Sequence, residues 1–523
     1  MNGQQRRVRI SEREGGMKIQ RAVAKRFLVF GFALTLVLSV APAARATDYA
    51  ATFVDDARPG ASSGAYGYNT MPVGDGVYFS GDDGVNGREL WWTDGSTSYL
   101  VEDVNPGPTD SAPQEMVALG DALIFTAYAQ ASGWELWRAE GHSVSIVREI
   151  MADELSGSPG NLTKMGDYVY FQANNGTTGS ELWRTDGTEA GTQLVKDLYP
   201  GDATTSSSPQ NMVAAGGMLF FTAYRSDIGW ELWRSDGTSS GTVLVSDIWT
   251  GPDSSQPVLL TAAGSTVYFS ATQPGPGREL YQVTGTNAPA ALDEINPTGD
   301  GSFSMPGVFG GEAYFGGWSG DQTDLYRVHA NQVELVHNFG GGGRGNPNNF
   351  AVVGTNLYFQ ASDGASDEEH GYELFKFDGT TVSLAADIRP GTGESYPWGL
   401  LPAGDALYFV AYDGTSSKVY RYADGVATAV SISGTNTTTG CECNHPIWVA
   451  GDRIWFHAYS DETGWELAYV TEESLTLPST NREAPSHHTA VLIAALAAAA
   501  SLTLSSVIKL RQRATRSLPT NSR

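Results

Sequence analysis

The sequence predicts an all-β protein: a β-propeller of about nine four-stranded blades, closed by the N-terminal strand of the mature chain and followed by a C-terminal transmembrane helix. Three observations predict this architecture. A unit recurs every 44 to 50 residues, each copy holds short strand-like runs separated by turns, and the two ends of the array supply complementary parts of one unit. The 62 Gly, 13 Trp, 23 Tyr and 20 Phe are typical of a β-rich chain.

The first 46 residues have the three parts of a secretory signal peptide. Residues 18–26 are basic, residues 27–40 are apolar, and Ala44-Arg45-Ala46 places small residues at a cleavage site. We therefore expect the mature chain to begin near Thr47. The alternative is an uncleaved membrane anchor, which we disfavour because the apolar run is short for a bilayer span.

A recurring Phe marks the second strand of every unit between residues 47 and 470. This strand reads VYF, LIF, LYF or a close variant in each copy. The nine positions are Phe79, Phe125, Phe171, Phe221, Phe269, Phe315, Phe359, Phe409 and Phe456. The spacing matches the length of a four-stranded propeller blade.

The clearest copy of the unit runs from Glu181 to Gly201. Its apolar and β-branched runs SELWRT and TQLVKDL flank Asp186-Gly187, a dipeptide that favours a tight hairpin turn. One such unit cannot bury both faces of its sheet, so the units must stack around a shared core. We therefore interpret the aromatic residues that recur in register as packing between blades, rather than as an aromatic sugar site. They are Trp91, Trp137, Trp183, Trp233, Tyr281, Tyr326, Phe375 and Tyr420.

The ends of the array predict a closed ring. The ninth unit ends near Val470 without a fourth strand, and residues 51–60 (ATFVDDARPG) match the fourth strands at residues 194–201 and 384–391. A chain that begins with the last strand of a blade and ends with the first three is suited to closure, which removes exposed sheet edges. The alternative is two smaller propellers in tandem, although no linker interrupts the spacing.

Four strings resemble the ELWxxDGT repeat family of exported, mostly uncharacterised proteins. They are ELWWTDGS (Glu89–Ser96), ELWRTDGT (Glu181–Thr188), ELWRSDGT (Glu231–Thr238) and ELFKFDGT (Glu373–Thr380). The resemblance covers Ala51 to about Val470 and implies a secreted or surface-displayed β-propeller. It implies no reaction, because the family brings no established catalytic residues.

The C-terminal region predicts a membrane anchor. Residues 471–488 form a polar linker, residues 489–508 are twenty uncharged and largely apolar residues, and residues 509–523 are basic. By the positive-inside rule, the tail is cytoplasmic and the propeller faces outward from the cell membrane. A soluble terminal helix is the alternative.

Charge and repetition limit the chemistry that we expect. The net charge of −26 disfavours nucleic acid as a partner. It would attract cations such as Ca²⁺, but the favoured interpretation is that the acidity keeps an exported protein soluble. Because a catalytic acid is needed only once, a Glu that recurs in seven units is predicted to accept hydrogen bonds within its hairpin. These residues are Glu89, Glu135, Glu181, Glu231, Glu279, Glu373 and Glu466. We therefore predict no catalytic residue and no bound cofactor.

Three features depart from the repeat. The insert at residues 363–370 offers Asp363, Asp367, Glu368 and Glu369 as candidate Ca²⁺ ligands, with a solvated acidic loop as the alternative. Cys441 and Cys443 are predicted to form a local disulfide or to remain a thiol pair. The sequons at Asn161, Asn175 and Asn436 are candidate glycosylation sites.

From these features we expect a membrane-anchored extracellular propeller that acts as a binding or adhesion module for a protein or glycan, with function on loops over a rigid scaffold. A non-catalytic role is favoured. The alternatives are a hydrolase or lyase that acts on polysaccharide, and a purely structural surface-coat protein.

Overall fold

The computed structural model describes residues 50–54, 64–152, 156–202, 204–275, 277–292, 295–296, 299–340, 345–363, 370–432, 447–460 and 464–471. Within these ranges the chain forms the nine sheets of a β-propeller, antiparallel except for one pair of short strands in the ninth sheet, and no helix. The predicted fold class is therefore confirmed for the propeller. The signal peptide (1–46), the predicted span (489–508) and the tail (509–523) lie outside the described residues, as does the linker (471–488) apart from Thr471, which ends the last strand.

The strands are numbered in chain order, beginning with an isolated N-terminal strand and continuing blade by blade. β1 (Ala50–Phe53) precedes the first blade. The first blade contains β2 (Ala65–Val73), β3 (Gly76–Asp82), β4 (Arg88–Thr93) and β5 (Ser98–Glu102), and the second contains β6 (Gln114–Leu119), β7 (Ala122–Ala129), β8 (Gly133–Glu140) and β9 (Ser143–Arg148). The third contains β10 (Gly160–Met165), β11 (Tyr168–Asn174), β12 (Ser180–Thr185) and β13 (Gln193–Lys196); the fourth contains β14 (Gln210–Ala215), β15 (Met218–Arg225), β16 (Gly229–Ser235) and β17 (Val243–Ser246); and the fifth contains β18 (Val258–Ala263), β19 (Thr266–Gln273), β20 (Gly277–Thr284) and β21 (Ala290–Ala291).

The last four blades follow the same order, with one short strand inserted before the ninth. They contain β22 (Gly307–Phe309), β23 (Glu312–Trp318), β24 (Thr323–His329) and β25 (Gln332–His337); β26 (Asn348–Val353), β27 (Asn356–Ala361), β28 (Glu373–Phe377) and β29 (Val382–Ala386); β30 (Trp398–Ala403), β31 (Ala406–Tyr412), β32 (Ser417–Ala423) and β33 (Val426–Ala429); the inserted β34 (Ser431–Ile432); and β35 (Trp448–Ala450), β36 (Arg453–Ser460) and β37 (Gly464–Thr471).

The ring closes through β1, as the sequence predicts. β1 pairs antiparallel with β37, where Thr52 lies opposite Tyr469 and the Val54 N–H donates to the Leu467 carbonyl at 2.8 Å. On its other side β1 pairs in parallel with β34, so that it is hydrogen-bonded along both edges. The N-terminal strand of the array therefore completes the ninth blade.

The core consists of apolar layers between neighbouring blades. Each of the nine buried clusters in the described chain combines residues of two successive blades, and one of them joins the ninth blade to the first through Trp455 and Phe79. Within a blade the recurring Phe lies opposite the recurring aromatic residue of the third strand, as Phe171 lies opposite Trp183. Both side chains are more than nine-tenths buried, which confirms that the aromatic series packs the blades together.

A bulge interrupts the start of most inner strands, and it was not predicted from the sequence. In the third blade the register shifts between Gly160 and Thr163, where Asn161 takes a φ of 61°. Asn211 and Asn349 take the corresponding conformation in their blades, with φ of 53° and 55°. Asn tolerates this left-handed conformation better than most residues, which explains why it recurs there.

Candidate functional site

The recurring Glu residues anchor the loops that join one blade to the next. Glu181 is fully buried and accepts hydrogen bonds from the Leu198 N–H, the Ser207 N–H and the Ser207 hydroxyl at 2.6–2.8 Å. Glu89 and Glu231 accept the same set of donors in their blades. The donors lie in the loop that leaves the fourth strand, not in the hairpin turn as predicted, because the carboxylate points away from that turn.

The same clamp operates at the seam of the ring and in the sixth blade. At the seam, Glu466 accepts from the Gly64 N–H at 2.7 Å. In the sixth blade the shorter Asp324 replaces Glu, is buried, and accepts from the Phe339 N–H at 3.0 Å. The sequence pattern missed Asp324 because the motif there reads TDLY instead of ELW. A carboxylate repeated in this way around the ring is structural.

Burial raises the pKa of these carboxyl groups. The pKa of Glu89, Glu135 and Glu373 is raised to about 7, mainly because burial penalises the charged form. The hydrogen bonds from Ser111 to Glu89 and from Ser395 to Glu373 act in the opposite direction. Burial also raises the pKa of Glu181 and Glu231.

The two described ends of the acidic insert, Asp363 and His370, contact each other. The His370 imidazole lies 3.0 Å from the Asp363 carboxylate and 3.8 Å from Asp387, and the hydrogen bond to Asp363 raises the pKa of His370. Asp367, Glu368 and Glu369 lie outside the described residues. Within the described part of the chain, no group of three or more His, Cys, Asp or Glu residues could hold a metal ion. The Ca²⁺ assignment therefore stays a prediction.

The other predicted sites are distributed over the molecule. Asn161 lies at the bulge of β10, and Asn175 lies in the exposed loop after β11, where its side-chain oxygen accepts from the Thr177 and Thr178 N–H groups. Cys441, Cys443 and Asn436 lie outside the described residues. The structure brings none of the described candidates together with another.

An aromatic cleft of about 330 Å³ lies between the first and second blades. Trp92 on β4 lies opposite Tyr99 on β5, and their ring centroids are 5.2 Å apart. His142 stacks on Tyr99, with the ring centroids 4.1 Å apart. The exposed Asp121 adds a carboxylate to the lining. The full lining is Val73, Gly74, Tyr78, Trp92, Tyr99, Asp121, Gly141 and His142. We name these eight residues the aromatic cleft.

The cleft forms because the first blade departs from the repeat at two facing positions. Where the second, third and fourth blades have Arg138, Arg184 and Arg234, the first has Trp92. The indole covers the backbone of Gly76, where any Cβ would overlap the ring. The sequence shows this substitution as ELWW in place of ELWR, but the contact between Trp92 and Gly76 could be predicted only once the register between β3 and β4 was known.

Carboxylates lie near the two tyrosines of the cleft. Burial raises the pKa of Tyr99, and the Asp94 carboxylate raises it further. The pKa of Tyr78 is raised by burial and by Tyr99, with an additional contribution from Glu140. The Tyr78 hydroxyl donates to the Gly141 carbonyl at 3.2 Å, which joins the two blades at the base of the cleft. Aromatic faces in a negative field are suited to organic cations.

No family model matches the chain, and no curated protein matches it. Solved structures are similar to part of the chain at low identity. A puromycin-hydrolysing peptidase from Mycobacterium tuberculosis is 10% identical over 67% of this chain and 59% of its own, with a TM-score of 0.37. Dipeptidyl peptidase 4 from Porphyromonas gingivalis is 8% identical over 76% and 65%, with a TM-score of 0.45. The propeller domain of the Trilobed protease from Pyrococcus furiosus is 11% identical over 62% and 96%, with a TM-score of 0.32.

These solved structures are peptidases or, in one case, the propeller domain of a protease. The prediction of an adhesion module for an extracellular protein or glycan is therefore wrong, and the polysaccharide-degrading and surface-coat alternatives are not carried forward. The chain spans about 58% of the length of a puromycin hydrolase, so it matches only part of such an enzyme. At these identities the likeness extends to the fold alone. Among the described residues, no helix is long and apolar enough to cross a bilayer.

Proposed function

We propose that this chain recognises short peptides in the course of peptide hydrolysis, and that it holds one peptide side chain in the aromatic cleft. The observation that carries the proposal is the paired departure from the repeat at Gly76 and Trp92, which opens a cleft where other blades are filled. A volume of about 330 Å³ is at the small end of ligand sites, which suits one side chain with its flanking backbone.

The surroundings of the cleft support a recognition role. Trp92 and Tyr99 are half-buried and lie on paired strands of one sheet, so their rings are held in place before a ligand arrives. A preformed site loses little conformational entropy on binding. The similarity to peptidases suggests peptides as test ligands, whereas the proposal itself depends on the geometry of the cleft.

The test is a titration of the full chain with acetylated tripeptide amides that differ only in the central residue. We expect binding for a subset of the peptides. Trp92→Arg restores the residue type of the neighbouring blades and should abolish that binding, whereas Trp134→Ala should retain it. Trp134 is a matched control because it is a half-buried aromatic residue on β8, outside the cleft.

Two results would contradict the proposal: no peptide of the panel binds, or binding is equal in wild type and Trp92→Arg. Separately, mass spectrometry of the same mixtures shows whether the peptides that bind are also cleaved. Cleavage in wild type that disappears in Trp92→Arg would place the hydrolytic step on this chain.

A further inference from the structure

Arginine side chains fill the grooves between other pairs of blades. In the third blade the guanidinium of Arg184 lies 4.4 Å from the ring centroid of Tyr168, and its Nη1 donates to the Gly237 carbonyl at 2.8 Å. Gly237 belongs to the turn between the third and fourth strands of the next blade. The cation is therefore held between an aromatic face and a turn carbonyl of the neighbouring blade.

The ninth blade reaches the same arrangement with the two residue types exchanged. Arg453 occupies the strand position of Tyr168, and Tyr469 occupies that of Arg184. The guanidinium of Arg453 lies 4.4 Å from the Tyr469 ring centroid, and a Cβ on Gly95 would lie 2.6 Å from its Nη1. Gly95 is the turn glycine of the next blade, as Gly237 is. Two different sequence solutions thus place the same group in the groove.

The first groove lacks the arginine and is lined by groups of the same chemical kinds. Gly76 takes the position of Arg453, and Trp92 takes the position of Arg184, so neither strand position carries a positive charge. Trp92, Tyr99, Asp121 and the turn residue Gly141, whose carbonyl already accepts one hydrogen bond from the Tyr78 hydroxyl, all line the cleft. These groups are the partners that a guanidinium prefers: an aromatic ring, a carbonyl oxygen and a carboxylate.

We propose that the aromatic cleft binds an arginine side chain of a peptide, in the place that Arg184 and Arg453 occupy in the grooves of their own blades. This inference rests on the proposed function, since it names the side chain that the cleft selects. Charge complementarity favours this occupant, because the chain carries a net charge of −26 and Asp121 lines the cleft.

The experiment compares isosteric ligands on the full chain. Isothermal titration is carried out with acetyl-Ala-Arg-Ala-amide and with the same peptide in which citrulline replaces arginine. Citrulline keeps the shape of arginine and removes its charge. We expect the citrulline peptide to bind about tenfold more weakly, as befits the loss of a cation from an aromatic face and a carboxylate.

Matched variants locate the effect. Asp121→Asn should weaken the arginine peptide and leave the citrulline peptide nearly unchanged. Asp167→Asn is the control, because Asp167 occupies the equivalent turn of the third blade, where Arg138 of the second blade already lies in the groove beside Gly187. It should change neither affinity.

The outcomes separate the two proposals. Equal affinity for the arginine and citrulline peptides, with both lost in Trp92→Arg, would overturn the arginine assignment and leave peptide recognition intact. If neither these peptides nor any other in the panel binds, both proposals fail. Preference for arginine that is unaffected by Asp121→Asn and by Trp92→Arg would place the arginine site elsewhere, and this inference would be wrong.

Discussion

The backbone N–H of Val54 donates to the carbonyl of Leu467 at 2.8 Å, and this contact joins the beginning of the propeller to its end. Val54 is buried in the apolar layer shared by the ninth and first blades. The closing strand therefore contributes both a hydrogen-bonded edge and a core side chain. The following predictions test this seam, the carboxylate clamps and the packing beneath the cleft.

Val54→Pro should destabilise the protein more than Val54→Ala does. Both variants shrink the buried side chain, but only proline removes the N–H and leaves the Leu467 carbonyl without its donor. We expect an additional loss of about 1–3 kcal/mol in the free energy of unfolding. Urea denaturation followed by tryptophan fluorescence measures the difference. Equal midpoints for the two variants would show that the seam does not depend on this bond.

Glu181→Gln should lower the free energy of unfolding by about 1–3 kcal/mol, because the amide NH₂ would face N–H donors and leave one of them unsatisfied. Ser207→Ala serves as the comparison: it removes one hydroxyl donor and keeps the carboxylate with its two backbone donors. We expect a smaller loss for this variant. Calorimetry of the two proteins gives the order, and a larger loss for Ser207→Ala would contradict the clamp.

Stability should rise as the pH falls from 7.5 to 5. Burial raises the folded-state pKa of Glu89, Glu135 and Glu373 to about 7, above the ordinary value of 4.5, so the folded protein binds more protons than the unfolded chain in that window. Their contribution is fully present below pH 4.5 and is lost as the pH rises through 7. The raised pKa of His370 acts in the same direction.

Urea denaturation at pH 7.5, 6 and 5 measures this dependence. The turn residue Asp94 has its pKa lowered to about 2, mainly by hydrogen bonds from Ser96, so it affects stability only below pH 4. Glu89→Gln removes one of the titrating groups and should flatten the curve. Stability that is constant or that increases with pH would refute the prediction.

Gly76→Ala should disturb the cleft without unfolding the blade. The added methyl would overlap the Trp92 indole, which must then move away from β3. We expect loss of peptide binding with a decrease of about 1–3 kcal/mol in unfolding free energy. Ala122→Ser, at the same strand position in the second blade, is the control and should retain binding. Unchanged binding in Gly76→Ala would show that the indole position is unimportant.

Much of the architecture could be predicted because the repeat is visible in the sequence. The recurring Phe gave nine units, and the likeness of residues 51–60 to later fourth strands predicted the pairing that Thr52 and Tyr469 make. The hairpin at Asp186-Gly187 was also predicted correctly, although its connection is longer than a tight turn: β12 ends at Thr185, β13 begins at Gln193, and Asp186 accepts from the Thr188 N–H at 2.9 Å. Local rules suffice where the relevant partners lie within one hairpin.

The remaining features depend on contacts between distant segments. The partners of Glu181 lie 17 and 26 residues further along the chain, in a loop whose path the sequence does not specify. The Asp103 carboxylate accepts from the Gly107 N–H, four residues further along the chain, in the same kind of loop. The cleft required knowing that Trp92 lies over Gly76, which becomes visible only once the strand register is fixed.

The seam also determines when the molecule can be completed. β1 is synthesised first among the propeller strands, yet both of its neighbours, β34 and β37, are made hundreds of residues later. Blades one to eight can assemble in the order in which they emerge from the ribosome, whereas the ninth blade must pair with β1, which was synthesised before all of them. A nascent chain interrupted before Gly464 therefore lacks the antiparallel partner of β1, and the ring can close only after the ninth blade has been synthesised.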